Sequence, residues 1–136
     1  MPIIKHLSEY KRRTRLLLFI ALGWTLLLTV LSLFSVKKLP KLEFDFSDKL
    51  LHSFFYLILS LLWFLYFEIK DGKKKLHPLL IGSIIFFYGI VIEALQEIMP
   101  YGRSADWKDM VANAMGILIA VLLFNFILDK LKALKE

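Results

Sequence analysis

Four long blocks of apolar residues constrain this chain more than any other feature. Leu16 to Val36 contains no ionisable side chain. At about 1.5 Å of rise per residue, a helix of that length crosses a hydrocarbon core of about 30 Å. A second block runs from about Leu50 to Ile69, a third from Leu79 to about Leu95 interrupted by Glu93, and a fourth from about Met110 to Leu128 interrupted by Asn113 and Asn125. Hydrophobic residues make up 58% of the chain, against about 45–50% in soluble domains, and that excess must face something other than water. The expected fold is all-α: one domain over residues 1–136, built as an integral membrane bundle of four helices at about 16–36, 50–69, 78–97 and 107–128.

Lys11, Arg12, Arg13 and Arg15 precede the first block as a signal peptide's basic region would. That block is longer than a usual h-region of about 7–15 residues and no A-x-A-like site follows it, so it reads as a retained anchor. The chain has no cysteine, which excludes disulfides, thiolate metal ligands and a cysteine nucleophile. A net charge of +6 does not indicate nucleic-acid binding, because the cations flank the apolar blocks as topology signals do. Twelve of the 18 Lys and Arg residues fall before the first span, between the second and third, and after the fourth; the other six are Lys37, Lys38, Lys41, Lys49, Arg103 and Lys108. The positive-inside rule therefore places both termini in the cytoplasm.

This topology gathers the polar residues at the extracytoplasmic surface. Asp48, His52 and Tyr56 recur every four residues, sharing one face of the second helix. Glu93 and Gln96 are neighbours on the third helix, with Pro100 marking its end. Asp106, Asp109, Asn113 and Gly116 form one face of the fourth. An ionisable side chain inside a membrane helix costs about 2.5–3.5 kcal/mol on insertion scales, so such groups face the bundle and find partners. His52, Glu93, Gln96, Asp106, Asp109 and Asn113 are expected to converge, with Arg103 at hand to neutralise a carboxylate.

Simpler roles compete for some of these residues. Ser47 or Asp48 could cap the second helix, and Ser104 or Asp106 the fourth, by accepting from exposed backbone N–H groups. Tyr56 and Trp107 could be interfacial aromatics, and Asn113 a bond between helices. Ala112, Gly116 and Ala120 repeat every four residues, an edge suited to close helix packing within the chain or to homo-oligomer contact.

Asp48-Lys49-Leu50-Leu51-His52 with Tyr56, Glu93-Ala94-Leu95-Gln96, Pro100, Gly102-Arg103-Ser104-Ala105-Asp106, Asp109, Ala112-Asn113 and Gly116 closely resemble the VanZ-like family of bacterial membrane proteins. The resemblance spans roughly residues 46–123 and rests on four elements in family order: D-K-x-x-H, E-x-x-Q, G-R-S and D-x-x-x-N. Two positions depart from it: Ala120 stands where the family often has a second glycine, and Ser53 where an apolar residue is usual. The resemblance implies a multi-pass protein of the bacterial cytoplasmic membrane. The family's namesake is associated with resistance to teicoplanin, by a mechanism that membership alone does not reveal.

Three functions are compatible with this pattern. The first is an envelope protein whose outward polar pocket, formed by Asp48, His52, Tyr56, Glu93, Gln96, Arg103, Asp106, Asp109 and Asn113, binds a lipid headgroup, a lipid-linked glycan or a glycopeptide antibiotic. The second is a membrane-embedded enzyme using His52, Glu93, Asp106 and Asp109 for acid–base chemistry or to hold a divalent cation. No H-x-x-x-H pair or serine elbow supports a particular reaction. The third is a small oligomeric transporter with Glu93 as exchange site; only Asn125, Ser60 and Ser83 would carry a polar path toward the other face.

Overall fold

The computed structural model describes residues 2–34, 45–70, 76–99 and 105–133. All the regular structure among them is helical: α1 (Pro2–Leu33), α2 (Asp45–Lys70), α3 (Pro78–Ile98) and α4 (Trp107–Ala133). Each contains a stretch long and apolar enough to cross a membrane, over His6–Leu33, Asp48–Lys70, Pro78–Ile98 and Trp107–Lys130.

Two helices begin before their apolar blocks do. α1 starts at Pro2; proline is favoured in the first helical turn, and Glu9, Lys11, Arg12, Arg13 and Arg15 all propagate a helix well. Hydropathy locates the buried part of such a helix, not its end. α2 starts at Asp45, so Ser47 and Asp48 lie inside it and neither is its N-cap. α3 begins with Pro78 after His77, whose Nδ1 accepts from the Leu79 N–H at 3.2 Å.

Leu59, Phe64, Ile85, Ile117, Ala120, Val121 and Phe124 form the buried centre. The outward side chains are equally apolar: Phe19, Phe87, Leu122 and Ile98 are two-thirds exposed or more. In water this belt would drive aggregation; in a bilayer it is the lipid-facing surface.

α4 packs most extensively against α2, and Gly116 sets how closely they approach. A Cβ on Gly116 would lie 2.1 Å from the Ser53 carbonyl oxygen. Ala112 and Ala120, a turn to either side, are buried as well. The small-residue edge expected to serve packing or an oligomer is thus occupied by α2 of the same chain. Ala120 is fully buried, so that turn accommodates a methyl group where the family often has glycine. Ser53 enters this contact through its backbone, which any residue would supply.

α1 is fastened by hydrogen bonds as well as by the packing of Leu28 and Trp24 on the core. Trp24 Nε1 donates to the Phe55 carbonyl at 3.2 Å, Trp63 Nε1 donates to Thr25 Oγ1 at 3.2 Å, and the Thr29 and Tyr88 hydroxyls lie 2.8 Å apart. Nothing in the spacing of the polar residues marks this seam, because each is common in membrane helices as an isolated residue.

Candidate functional site

The first turns of α2 and α4 meet the last turns of α1 and α3 at one end of the bundle. Asp106 caps α4: its Oδ1 accepts from the Lys108 N–H at 2.9 Å, and its carbonyl accepts from the Asp109 N–H at 2.9 Å. The capping role expected for Asp106 and its participation in a cluster therefore coexist. Asp109 and Asn113 follow on the α4 face toward α2 and are nearly fully buried.

Lys49 holds the cluster together. Its ammonium donates to Asp106 Oδ2 at 2.7 Å and to Asp109 Oδ1, and lies 3.7 Å from Asp48 Oδ2. His52, one turn further in, has Nδ1 3.3 Å from Asn113 Oδ1 and Nε2 3.6 Å from Asp109 Oδ2. The amide oxygen can only accept, so Nδ1 carries the proton of that bond. Nε2 then faces a carboxylate oxygen, a pair that attracts when the ring is protonated and that would bracket a cation when it is neutral.

Glu93, buried on α3, accepts the Asp106 N–H at 3.1 Å on Oε2. On the same helix Glu97 accepts the Ala105 N–H at 2.8 Å. The two carboxylates satisfy backbone donors just ahead of α4 and tie the α3 end to the α4 start.

Of the residues expected to converge, the structure brings together His52, Glu93, Asp106, Asp109 and Asn113, with Asp48 at the rim. Gln96 does not join them: its Nε2 donates to the Ser32 carbonyl on α1 at 2.9 Å. Tyr56 is buried one turn below His52 with its ring centroid 6.3 Å from that of Tyr88. Trp107 is two-thirds exposed at the surface, as an interfacial aromatic would be. Arg103, Ser104 and Pro100 lie outside the described residues. Asp48, Ser32, Leu51, His52, Phe55 and Tyr56 are among the residues lining a cleft of about 120 Å³ between α1 and α2.

Sequence reasoning counted Lys49 as a topology charge and as part of the D-K-x-x-H element, gave it no place among the site residues, and assigned neutralisation to Arg103. The signal that singles Lys49 out is local: it precedes His52 by three residues, so it shares that side chain's side of the helix, and the acidic start of α4 needs a cation at that level.

The Asp106 carboxyl is held below the usual aspartate range, first by the hydrogen bond from Lys49 and then by the Lys108 N–H. A depressed carboxyl contributes stability that is fully present above its unfolded value of about 3.9 and is lost as pH falls through the lower folded value. Asp106→Asn is therefore expected to lower the melting temperature at neutral pH, with the gap from wild type narrowing as pH drops below about 4. Thermal unfolding in detergent at a series of pH values measures it; a gap independent of pH would show that the charge of Asp106 is immaterial.

The family model described as VanZ/LLP1 matches residues 5–128. The chain belongs to the VanZ/LLP1 family. The match covers all four helices, α1 included, beyond the segment that carries the motif resemblance. The chain is also similar to an uncharacterized protein of the fission yeast Schizosaccharomyces pombe, 30% identical over 84 residues, which cover 62% of this chain and 50% of that protein. The chain thus spans about half the length of that curated relative. No solved structure matches. Membership supports a multi-pass membrane protein, the same conclusion the four apolar helices reach.

Proposed function

We propose that this VanZ/LLP1 protein binds cell-envelope material in the polar pocket at the Lys49 end, which the distribution of Lys and Arg assigns to the extracytoplasmic face. The observation that carries the reading is the charge balance there. Among the described residues there, Asp48, Glu93, Asp106 and Asp109 outnumber Lys49, Lys108 and His52, so the field of these side chains favours a cationic group. An amine-bearing lipid headgroup fits such a site, as does an amino group on a lipid-linked glycan or a glycopeptide antibiotic. Capturing an antibiotic there would keep it from its target, which is how the pocket could contribute to glycopeptide resistance.

Native mass spectrometry of protein extracted gently with its own lipids, comparing wild type with Glu93→Gln and His52→Ala, tests the proposal. Bound lipid, glycan or added glycopeptide should be retained by wild type and lost from the variants. Identical spectra from equally well-folded variants would reduce these residues to joining helices.

A second reading rests on a separate observation. Asp48, His52 and Asp109 each bring one donor atom to within 4.8 Å of the others, a set of one imidazole and two carboxylates that suits a divalent cation. Taking it up would require the Lys49 ammonium to swing away from Asp109. The cation would supply Lewis acidity for hydrolysis or transfer on a lipid-linked substrate, while Glu93 handled protons. A stoichiometric metal in purified protein, lost on His52→Ala, would place this reading first. The transporter reading has less support: among the described residues the hydrophobic core is interrupted by the fully buried Ser60 alone of the three path candidates, and Ser83 turns back to its own helix at the Leu79 carbonyl, 2.9 Å away.

A further inference from the structure

At the end of the bundle opposite Lys49, α1 runs past the level at which α2 stops. The Tyr10 hydroxyl reaches across to the Ile69 and Lys70 carbonyls, satisfying the exposed C-terminal groups of α2. This strut fixes a cleft of about 290 Å³ between the two helices, lined by Lys11, Arg15 and Lys70 together with Tyr10, Thr14 and Tyr66. Lys70 is held over the Tyr66 and Phe67 rings, 5.5 and 5.8 Å from their centroids, so its position is set by packing rather than by a carboxylate. The ion pairs found among the described residues lie at the other end, on Lys49 and His52. Among the described residues Glu9 and Glu68 are the carboxylates nearest in sequence, and neither lines this cleft; Asp71, next to Lys70, lies outside the described residues.

The depth of the cleft narrows the choice of ligand. The apolar run of α1 begins at Leu16, immediately after Arg15, and that of α2 ends at Phe67, three residues before Lys70, so the three cations lie where lipid headgroups meet acyl chains. Leu18 closes the cleft toward the bilayer, and Leu16 and Phe19 expose apolar side chains beside it. Basic pockets between membrane helices at this level recognise phosphate-bearing headgroups. The Tyr10 and Thr14 hydroxyls already donate to backbone carbonyls, so the cations hold the phosphate while Tyr66 and the aromatic edges add packing surface.

We infer that Lys11, Arg15 and Lys70 form a binding site for the headgroup of an anionic phospholipid, held in register by the Tyr10 strut and independent of the pocket at the other end. The test is native mass spectrometry of the full chain titrated with phosphatidylglycerol, with phosphatidylcholine and with inorganic phosphate. Wild type should bind phosphatidylglycerol at least tenfold more tightly than phosphatidylcholine. Lys11→Gln/Arg15→Gln, which alters only exposed side chains, should weaken that binding by roughly ten- to thirtyfold with an unchanged melting temperature. Lys11→Arg, which keeps the charge, should retain it. Equal affinity for the two lipids, or a double variant that binds phosphatidylglycerol like wild type, would overturn the site. Inorganic phosphate binding alone as tightly as the lipid would overturn its assignment to a lipid.

Discussion

Gly116→Ala should unfold or severely destabilise the bundle, although alanine is the better helix former by about 1 kcal/mol. The added Cβ would lie 2.1 Å from the Ser53 carbonyl oxygen, 2.9 Å from its carbon and 3.1 Å from the Leu57 nitrogen. All three are backbone atoms of one helix, so no rotamer change relieves the clash; α2 and α4 must move apart and loosen the contact that organises the core. Overpacking of flexible side chains costs about 1–3 kcal/mol, and a rigid backbone puts this case at or above the upper end. A net loss of about 3 kcal/mol would lower the melting temperature by about 10 °C. Gly23→Ala is the control, because nothing lies within 4 Å of a Cβ there and only the helix-propensity gain remains. Thermal unfolding monitored by size-exclusion chromatography in detergent should show a large drop for the first and none for the second. Equal behaviour of the two would show that α2 and α4 do not approach through Gly116.

Lys49→Ala carries the second large effect. It removes the cation from between Asp106 and Asp109, leaving Asp109 with a side chain only 9% exposed. Breaking a buried pair by deleting one partner costs about 3–5 kcal/mol. Lys49 and Asp106 retain 20% and 36% exposure, so solvent returns part of that and a loss of about 2–3 kcal/mol is expected. Lys49→Met combined with Asp109→Asn removes both charges at similar size and should recover most of the loss. The cycle completed with Lys49→Met and Asp109→Asn singly isolates the coupling; additive single effects would mean that the Lys49–Asp109 contact contributes nothing to stability.

The proposed uses of the two ends predict separable phenotypes. Neutralising Lys11 and Arg15 acts on phospholipid selectivity and leaves the Lys49 cluster intact. Glu93→Gln and His52→Ala act at the polar pocket and leave the Tyr10 strut in place. Failure of one assignment therefore does not imply failure of the other.

Helix count and placement were legible because a bilayer permits few alternatives. Apolar runs of this length have to be helical, and their exposed faces in the structure are lipid-facing rather than defective. The candidate site was legible for a related reason. Ionisable residues inside or at the edge of such runs are costly, so Glu93 and His52 within them and Asp109 at the edge of the fourth announced themselves by being where they are. Residues that are ordinary at the membrane surface gave no such signal, and Lys49 and Tyr10, which make the most connecting contacts at their respective ends, are of that kind.

A four-helix membrane protein of the VanZ/LLP1 kind with polar residues gathered at one end can be read from the chain alone, because hydropathy, charge and motif order are properties of the linear sequence. The partners those residues take come from the packed bundle: Asp106 and Asp109 with Lys49, Gln96 with the α1 backbone, Gly116 with α2. Helical spacing fixes the face of a side chain, but its partner depends on how neighbouring helices are rotated and how closely they approach. That is settled by packing around Gly116 and the hydrogen bonds of α1, contacts between residues far apart in the chain.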